Sequence, residues 1–249
     1  MSPEHARPLI YGHRGASAQA PENTLVAFQL AYDQGADGIE LDAKLSADGE
    51  VVVIHDTTVD RTTQGKGAVN RLTMAQLRSL DAGIWKGETF KGEKIPTLAE
   101  VLVAFGGKFI INIELTNYAS VYDGLPQRVV ELVRKFKLED SVILSSFLHA
   151  NLLAVRRLWP EAPLGILAQA GFPGAINRSA FSRWVAPCYL HPHVSDVCER
   201  LVNREKVAGR SLNVWTVNAP ADIRRMITLG VEGVITDDPA LALTIREEK

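Results

Sequence analysis

No excess of basic charge marks this 249-residue chain: 27 Lys and Arg stand against 29 Asp and Glu, a net charge of −2. That leaves no basic stripe to cover a nucleic-acid backbone. No window approaches the ~18 consecutive apolar residues of a membrane span, so stable membrane association is not expected. The opening Met-Ser-Pro-Glu-His-Ala-Arg-Pro has neither an apolar h-region nor a small-residue cleavage site, and a cytoplasmic setting is the expectation. Only two cysteines occur, Cys188 and Cys198, without ligand-like spacing; they read as reduced thiols. Internal repeats and low-complexity tracts are missing too. What is present is 46% hydrophobic, enough to bury a full core, and the length suits one α/β barrel. A single domain over 1–249 is the reading. Oligomeric state is not legible.

Apolar strand-like runs begin near Leu9, Asp37, Phe109, Ser141, Pro163, Val185, Leu212 and Gly233, most of them followed by a segment of helical periodicity. Eight such units imply a parallel sheet closed into a TIM (β/α)8 barrel. An open nucleotide-binding sheet wants Gly-x-Gly-x-x-Gly after its first strand, and His13-Arg14-Gly15-Ala16 is not that turn. Thr97-Leu98-Ala99-Glu100 predicts a capped helix with Leu98, Val101, Leu102 and Phe105 on its buried face. Pro21-Glu22-Asn23-Thr24 opens the first helix and Gly35 ends it.

One interval is too long. About 70 residues separate the second and third barrel strands, where other units take roughly 20 to 30. Ala47-Asp48-Gly49 is too short for a parallel crossover, so Val51 to His55 must return antiparallel. That hairpin brings His55 to the rim carrying Glu40 and Asp42. Residues 57–95 then read as a small insertion over the barrel mouth, with a short helix after the box Thr73-Met74-Ala75-Gln76. Trp85 and Phe90 either pack its base or wall the cleft.

Strand alternation places Glu40, Asp42 and Lys44 on one face, and Asn112 and Glu114 on one face of the next barrel strand. Three carboxylates at adjacent strand ends repel one another unless something compensates. A divalent cation does so, and all-oxygen ligands favour Mg²⁺ or Ca²⁺; the alternative is ion pairing with Arg14, Lys44 or Lys108. His13 and His55 each end an apolar run beside a charged residue. Imidazoles, with an ordinary pKa near ~6.5, suit a general acid and base pair. The planar fork of Arg14 suits a phosphate. The inventory describes phosphoryl transfer by positioning and charge, with metal and Arg14 on the nonbridging oxygens, one histidine on the nucleophile and the other on the leaving alkoxide.

These residues, with Ala20-Pro21-Glu22-Asn23-Thr24, Asn112-Ile113-Glu114-Leu115, Val214-Trp215-Thr216-Val217-Asn218 and Gly233-Val234-Ile235-Thr236-Asp237-Asp238-Pro239, resemble the glycerophosphodiester phosphodiesterase family in its bacterial, cytoplasmic form. The resemblance implies a TIM barrel with a small insertion after the second strand, cleaving glycerophosphodiesters to sn-glycerol 3-phosphate and an alcohol. It implies metal on Glu40, Asp42 and Glu114, acid/base roles for His13 and His55, phosphate on Arg14, and glycerol beside Trp215 and Phe147. Family members commonly carry a lysine two residues after the third acid, where this chain has Thr116; Lys44 is the candidate to compensate.

His191-Pro192-His193 are expected to line the cleft, His193 as a substrate contact, and His149 and His5 to lie on the surface. Two other readings keep the same residues: a lysophospholipase D-like enzyme, needing an apolar groove for which Phe172 and Phe181 are scattered candidates, or a catalytically weak diester-binding barrel, for which only Thr116 argues. A metal-dependent amidohydrolase would end its first strand in His-x-His, which is absent here.

Overall fold

The computed structural model describes residues 7–248; His5 lies outside them, as does the side chain of Phe181. Eight parallel strands close into a barrel: β1 (Leu9–His13), β2 (Gly38–Leu45), β4 (Ile110–Leu115), β5 (Val142–Ser146), β6 (Leu164–Ala168), β7 (Tyr189–Pro192), β8 (Ser211–Val214) and β9 (Gly233–Thr236). The order around the sheet is β1-β9-β8-β7-β6-β5-β4-β2, and a β1–β2 pairing closes it. β3 (Val51–Val53) is the ninth strand and pairs antiparallel with the far end of β2. Isoleucines and leucines on the outward face of the strands, Ile39, Leu41, Ile111 and Ile113 among them, are fully buried in the core between barrel and helices.

Helices α1 (Leu25–Asp33), α3 (Leu98–Phe105), α4 (Leu125–Phe136), α5 (His149–Leu158), α6 (Ala175–Arg178), α7 (Glu199–Val207), α8 (Pro220–Leu229) and α9 (Pro239–Glu247) follow the barrel strands in turn, and α2 (Met74–Ser79) lies in the inserted segment. The capping boxes form as the sequence predicts. The Thr97 hydroxyl accepts from the Glu100 N–H while the Glu100 carboxylate accepts from the Thr97 N–H, and Thr73 and Gln76 do the same for α2; such a cap stabilises by about 1 kcal/mol. Between β1 and α1 the chain turns so tightly that a Cβ on Gly15, at φ +86°, would lie 2.6 Å from the Ala27 backbone. Only glycine fits there.

The seventh strand starts later than the apolar run suggests. Val185 is buried in a 3-10 turn, and Ala186 at φ +48° followed by Pro187 interrupts the chain before it becomes extended at Tyr189. The fifth barrel helix is correspondingly short, four residues of α6 followed by that turn.

β2 is the longest strand, eight residues, and its last three pair with β3: Ala43 with Val53, Lys44 with Val52, Leu45 with Val51. The turn between them is held by Ser46 and Glu50, with Gly49 at φ +82°. Ile54 N–H still donates to Asp42 C=O at 2.9 Å, which delivers His55 to the rim. The inserted segment has its own small core of Val52, Ile54, Val59, Val69, Leu77, Ala82 and Ile95. No helix among the described residues is long and apolar enough to cross a membrane.

Candidate active site

The C-terminal ends of parallel barrel strands are where such folds carry chemistry, because the loops that follow converge there. Strand register does the first part of the assembly: His13 pairs with Glu40, Glu40 with Asn112, and Asp42 with Glu114. Three adjacent strands thereby present a histidine and three carboxylates to one spot. Ligand oxygens of Glu40, Asp42 and Glu114 all lie within 4.8 Å of one another, and the three side chains are nearly inaccessible to solvent.

Burial and mutual repulsion show in their ionisation. Burial, then the neighbouring Asp42, pushes the Glu114 carboxyl up to about 8, and the same causes raise Glu40 well above its ordinary range. Burial acts on Asp42 too, but Arg14, His55 and a hydrogen bond from Asn23 outweigh it and hold Asp42 low. The alternative of ion pairing is thus realised only in part. Arg14 Nε lies 3.3 Å from Asp42 Oδ2, whereas Lys44 and Lys108 make no ion pair with the three acids. Among the described side chains, Glu40 and Glu114 have no arginine or lysine ion pair, only His13 Nε2 at 3.9 Å from the first and the Tyr118 hydroxyl on the second, and the oxygen donor set suits a hard divalent cation.

Each histidine is backed by an aspartate. The His13 Nδ1–H donates to Asp237 Oδ1 at 2.6 Å, and Asp237 also accepts from Ser17 Oγ at 3.1 Å and Asn218 Nδ2 at 2.6 Å. Burial alone would raise Asp237, but these hydrogen bonds and the His13 ring keep it below the usual carboxylate range. The His55 Nδ1–H donates to Asp56 Oδ1 at 2.7 Å, and Arg61 clamps Asp56 with Nε at 2.8 Å. Arg61 reaches on to Glu22 at 2.7 Å, and Glu22 accepts from Arg14 at 2.8 Å. A chain of ion pairs therefore runs from His55 to the arginine over Asp42. Arg14 is placed by an uncommon left-handed backbone, φ 56°, with its N–H on the Glu40 carbonyl and carboxylate.

His13, Arg14, Glu40, His55, Glu114, Phe147 and Trp215 share one cavity of about 80 Å³. Phe147 and Trp215 meet edge to face, centroids 5.5 Å apart, and His193 also packs edge to face with Trp215 at 5.3 Å. The Trp215 ring is fixed by a 2.7 Å hydrogen bond to the His191 carbonyl. Trp85 walls a second cavity beside His13 and Arg14, while Phe90 does not line it.

Some expectations are corrected. His191 does not line the cleft: its ring is fully buried inside the barrel against Gly165, where desolvation drives its pKa down to about 3. His149 is half-buried in the first turn of α5, not on the open surface. Lys44 shares the strand face of Glu40 and Asp42, yet its ammonium turns to Thr116, donating to the carbonyl at 2.7 Å and the hydroxyl at 2.8 Å, and lines a different cavity. Both cysteines are free thiols.

Sequence reasoning missed Asn23, Tyr118, Arg61 and Asp237. Asn23, also left-handed at φ 58°, does not open the helix; Thr24 does the capping and Asn23 donates to Asp42 at 2.9 Å. Tyr118 donates its hydroxyl to Glu114. An asparagine just before an N-cap threonine was the available signal for the first; the others carry none in isolation.

The sequence profile described as the glycerophosphoryl diester phosphodiesterase family matches residues 13–241. A glycerophosphodiester phosphodiesterase of Caldanaerobacter subterraneus subsp. tengcongensis is 42% identical over 244 residues, 96% of this chain and 98% of that one. Among solved structures, an Oleispira antarctica phosphodiesterase in complex with the product sn-glycerol-3-phosphate superposes with a TM-score of 0.88 at 32% identity, covering 97% of both chains. The glycerophosphodiester phosphodiesterase of Agrobacterium tumefaciens gives 0.82 at 30% identity over 95% of this chain and 99% of that one. With a closed barrel, a three-carboxylate cluster between two aspartate-backed histidines, and matches running nearly end to end, the chain belongs to the glycerophosphoryl diester phosphodiesterase family.

Proposed function

We propose that this enzyme hydrolyses glycerophosphodiesters to sn-glycerol 3-phosphate and an alcohol in a divalent-cation-dependent reaction. The observation that carries the reading is the convergence of Glu40, Asp42 and Glu114 on one buried point between His13 and His55. Glu40, Asp42 and Glu114 would hold Mg²⁺ or Ca²⁺, which when bound supplies positive charge to a nonbridging phosphate oxygen. Arg14, preset by Glu22 and Asp42, offers its remaining donors to the same phosphate. One imidazole takes the proton of the attacking oxygen, a water or the substrate's own 2-hydroxyl, as it bonds to phosphorus, and the other gives a proton to the alcohol oxygen as its ester bond breaks; where the 2-hydroxyl attacks, a water then opens the cyclic phosphate with the two rings exchanging roles. Asp237 and Asp56 fix the ring tautomers, leaving each Nε2 for the substrate. Phe147 and Trp215, with His193 against the latter, form an apolar wall for the glycerol carbons, in keeping with the product held by the Oleispira antarctica relative. The Lys44 ammonium adds positive charge behind Glu114, and residues 57–95 close one side of the mouth.

The test is release of sn-glycerol 3-phosphate from glycerophosphocholine and glycerophosphoethanolamine, first with EDTA and then with Mg²⁺ or Ca²⁺ restored. Product is expected only with a cation present. Undiminished release under EDTA would sink the cation's role, and no release with either cation would sink the reaction.

A further inference from the structure

Strand order places Asn112 between two parts of the site. Its strand, β4, pairs on one side with β2, which bears Glu40 and Asp42, and on the other with β5, which runs directly into Phe147. Asn112 stands in register with Glu40 and two residues before Glu114, one side-chain step deeper in the barrel. It lines the same cavity as His13, Arg14, Glu114, Phe147 and Trp215.

Its amide is uncommitted. Asn112 is 1% exposed, and among the described residues neither its Nδ2 nor its Oδ1 has a hydrogen-bond partner. A buried amide left unpaired is unfavourable by a factor of about ten or more, and a bound group that answers both atoms would remove that penalty. Ser145, His191 and Asn213 on other barrel strands also bury an unpaired polar atom, yet none of them lines this cavity.

The rest of the polar lining is engaged. Nδ1 of each histidine is on its aspartate, Arg14 is held by Glu22 and Asp42, the Tyr118 hydroxyl is on Glu114, and the Trp215 Nε1–H is on the His191 carbonyl. The inference rests on the functional reading above, in which the free imidazole nitrogens, the remaining arginine donors and the carboxylates serve protons, phosphate and cation. Asn112 is then the group left for the glycerol hydroxyls. Its chemistry matches them: a phosphate oxygen uses only the donor of an amide and a cation only its oxygen, whereas two neighbouring hydroxyls use both. One accepts from Nδ2 and keeps its own proton free, and the other donates to Oδ1. We propose that Asn112 reads the vicinal diol of the glycerol moiety and is the residue by which the site distinguishes a glycerol phosphate from an alkyl phosphate of the same length.

The experiment measures, with Mg²⁺ or Ca²⁺ present, the dissociation constants of sn-glycerol 3-phosphate and n-propyl phosphate for the wild type, Asn112→Leu and Ser145→Ala. Beside them it takes the affinity of each protein for the cation alone and its Tm in EDTA. The wild type should bind glycerol 3-phosphate about tenfold or more tightly than propyl phosphate, since the alkyl ligand leaves the buried amide unanswered. Asn112→Leu should bring that ratio severalfold toward one and leave the cation affinity where it was. Because leucine has nearly the shape of asparagine and no polar atom, the variant should also keep or raise the Tm. Ser145→Ala should leave the ratio unchanged. A ratio that survives Asn112→Leu overturns the proposal, the amide then serving water only, and a ratio moved as far by Ser145→Ala overturns it by spreading the effect through the barrel interior. A Tm lowered by Asn112→Leu, or a weakened cation affinity, overturns it by giving the amide to the fold or to the cation. Equal binding of the two phosphates by the wild type overturns it while the phosphodiesterase reading stands. Binding of neither phosphate, together with no cleavage of glycerophosphocholine or glycerophosphoethanolamine, overturns that reading and the diol contact with it.

Discussion

The two histidine–aspartate pairs have the same geometry and opposite kinds of support. His13 stands on β1 with its side chain 18% exposed, and its aspartate comes from the last strand of the barrel, held in turn by Ser17 and Asn218. His55 stands beyond the hairpin with its side chain 43% exposed, and its aspartate is the next residue, held by Arg61 and through it by Glu22. The first brace is made by barrel closure. The second is made by ion pairs at the surface, which salt screens and which contribute little one at a time. A closely braced ring therefore faces a more exposed one across the carboxylate cluster.

The largest effect expected is the loss of either ring. His13→Ala and His55→Ala should each lower kcat by about 10²–10⁴, and near-wild-type turnover by one of them would end the idea of a matched pair. Next come the braces. Asp237→Asn should lower kcat by about 10²-fold, the usual consequence of misplacing a catalytic group, while Asp56→Asn should cost roughly tenfold or less because His55 sits in water that can reorient around it. The reverse ranking would mean that the exposed ring is the one needing precise placement. Arg61→Ala should be milder again, a few-fold, and raising ionic strength on the wild type should reproduce it; salt-independent kinetics would show the ion-pair chain to be inert.

The smallest effect concerns the ground between the pairs. Burial beside Asp42 pushes the Glu114 carboxyl up to about 8, far above a carboxyl in an unfolded chain. The folded state thus binds the extra proton, and its stability declines as pH rises from about 4.3, the unfolded value, toward 8. Melting in EDTA should show a Tm that falls modestly over that window, and a divalent cation should remove the trend. A flat Tm in EDTA would show that Glu114 is ionised without help.

The convergence of carboxylates and histidines was legible where local sequence dictates geometry. Glu40, Asp42 and Glu114 alternate with isoleucine and leucine on strands, so a period of two assigns their face, and Ala47-Asp48-Gly49 assigns the return of His55. What stayed hidden depends on pairings between distant residues. Arg61 meets Glu22 across 39 positions, by the way the inserted segment folds back over the first loop, and Asp237 meets His13 across 224, by barrel closure. Alternation also stops being a guide where a strand ends. Pro192 closes β7, so His191 points into the barrel while His193, entering a 3-10 turn, reaches the rim. Lys44 shows a third limit: its face was right, but four rotatable bonds carried its ammonium to Thr116.

Because His13 is braced from β9, the first strand and the last must meet before the enzyme is complete. A ribosome making this chain releases His13 early and Asp237 only near the end, so for most of its synthesis the protein carries one finished dyad and one bare imidazole. The His13–Asp237 contact arrives only with the final strand, and a chain cut short before it would leave that imidazole without its aspartate.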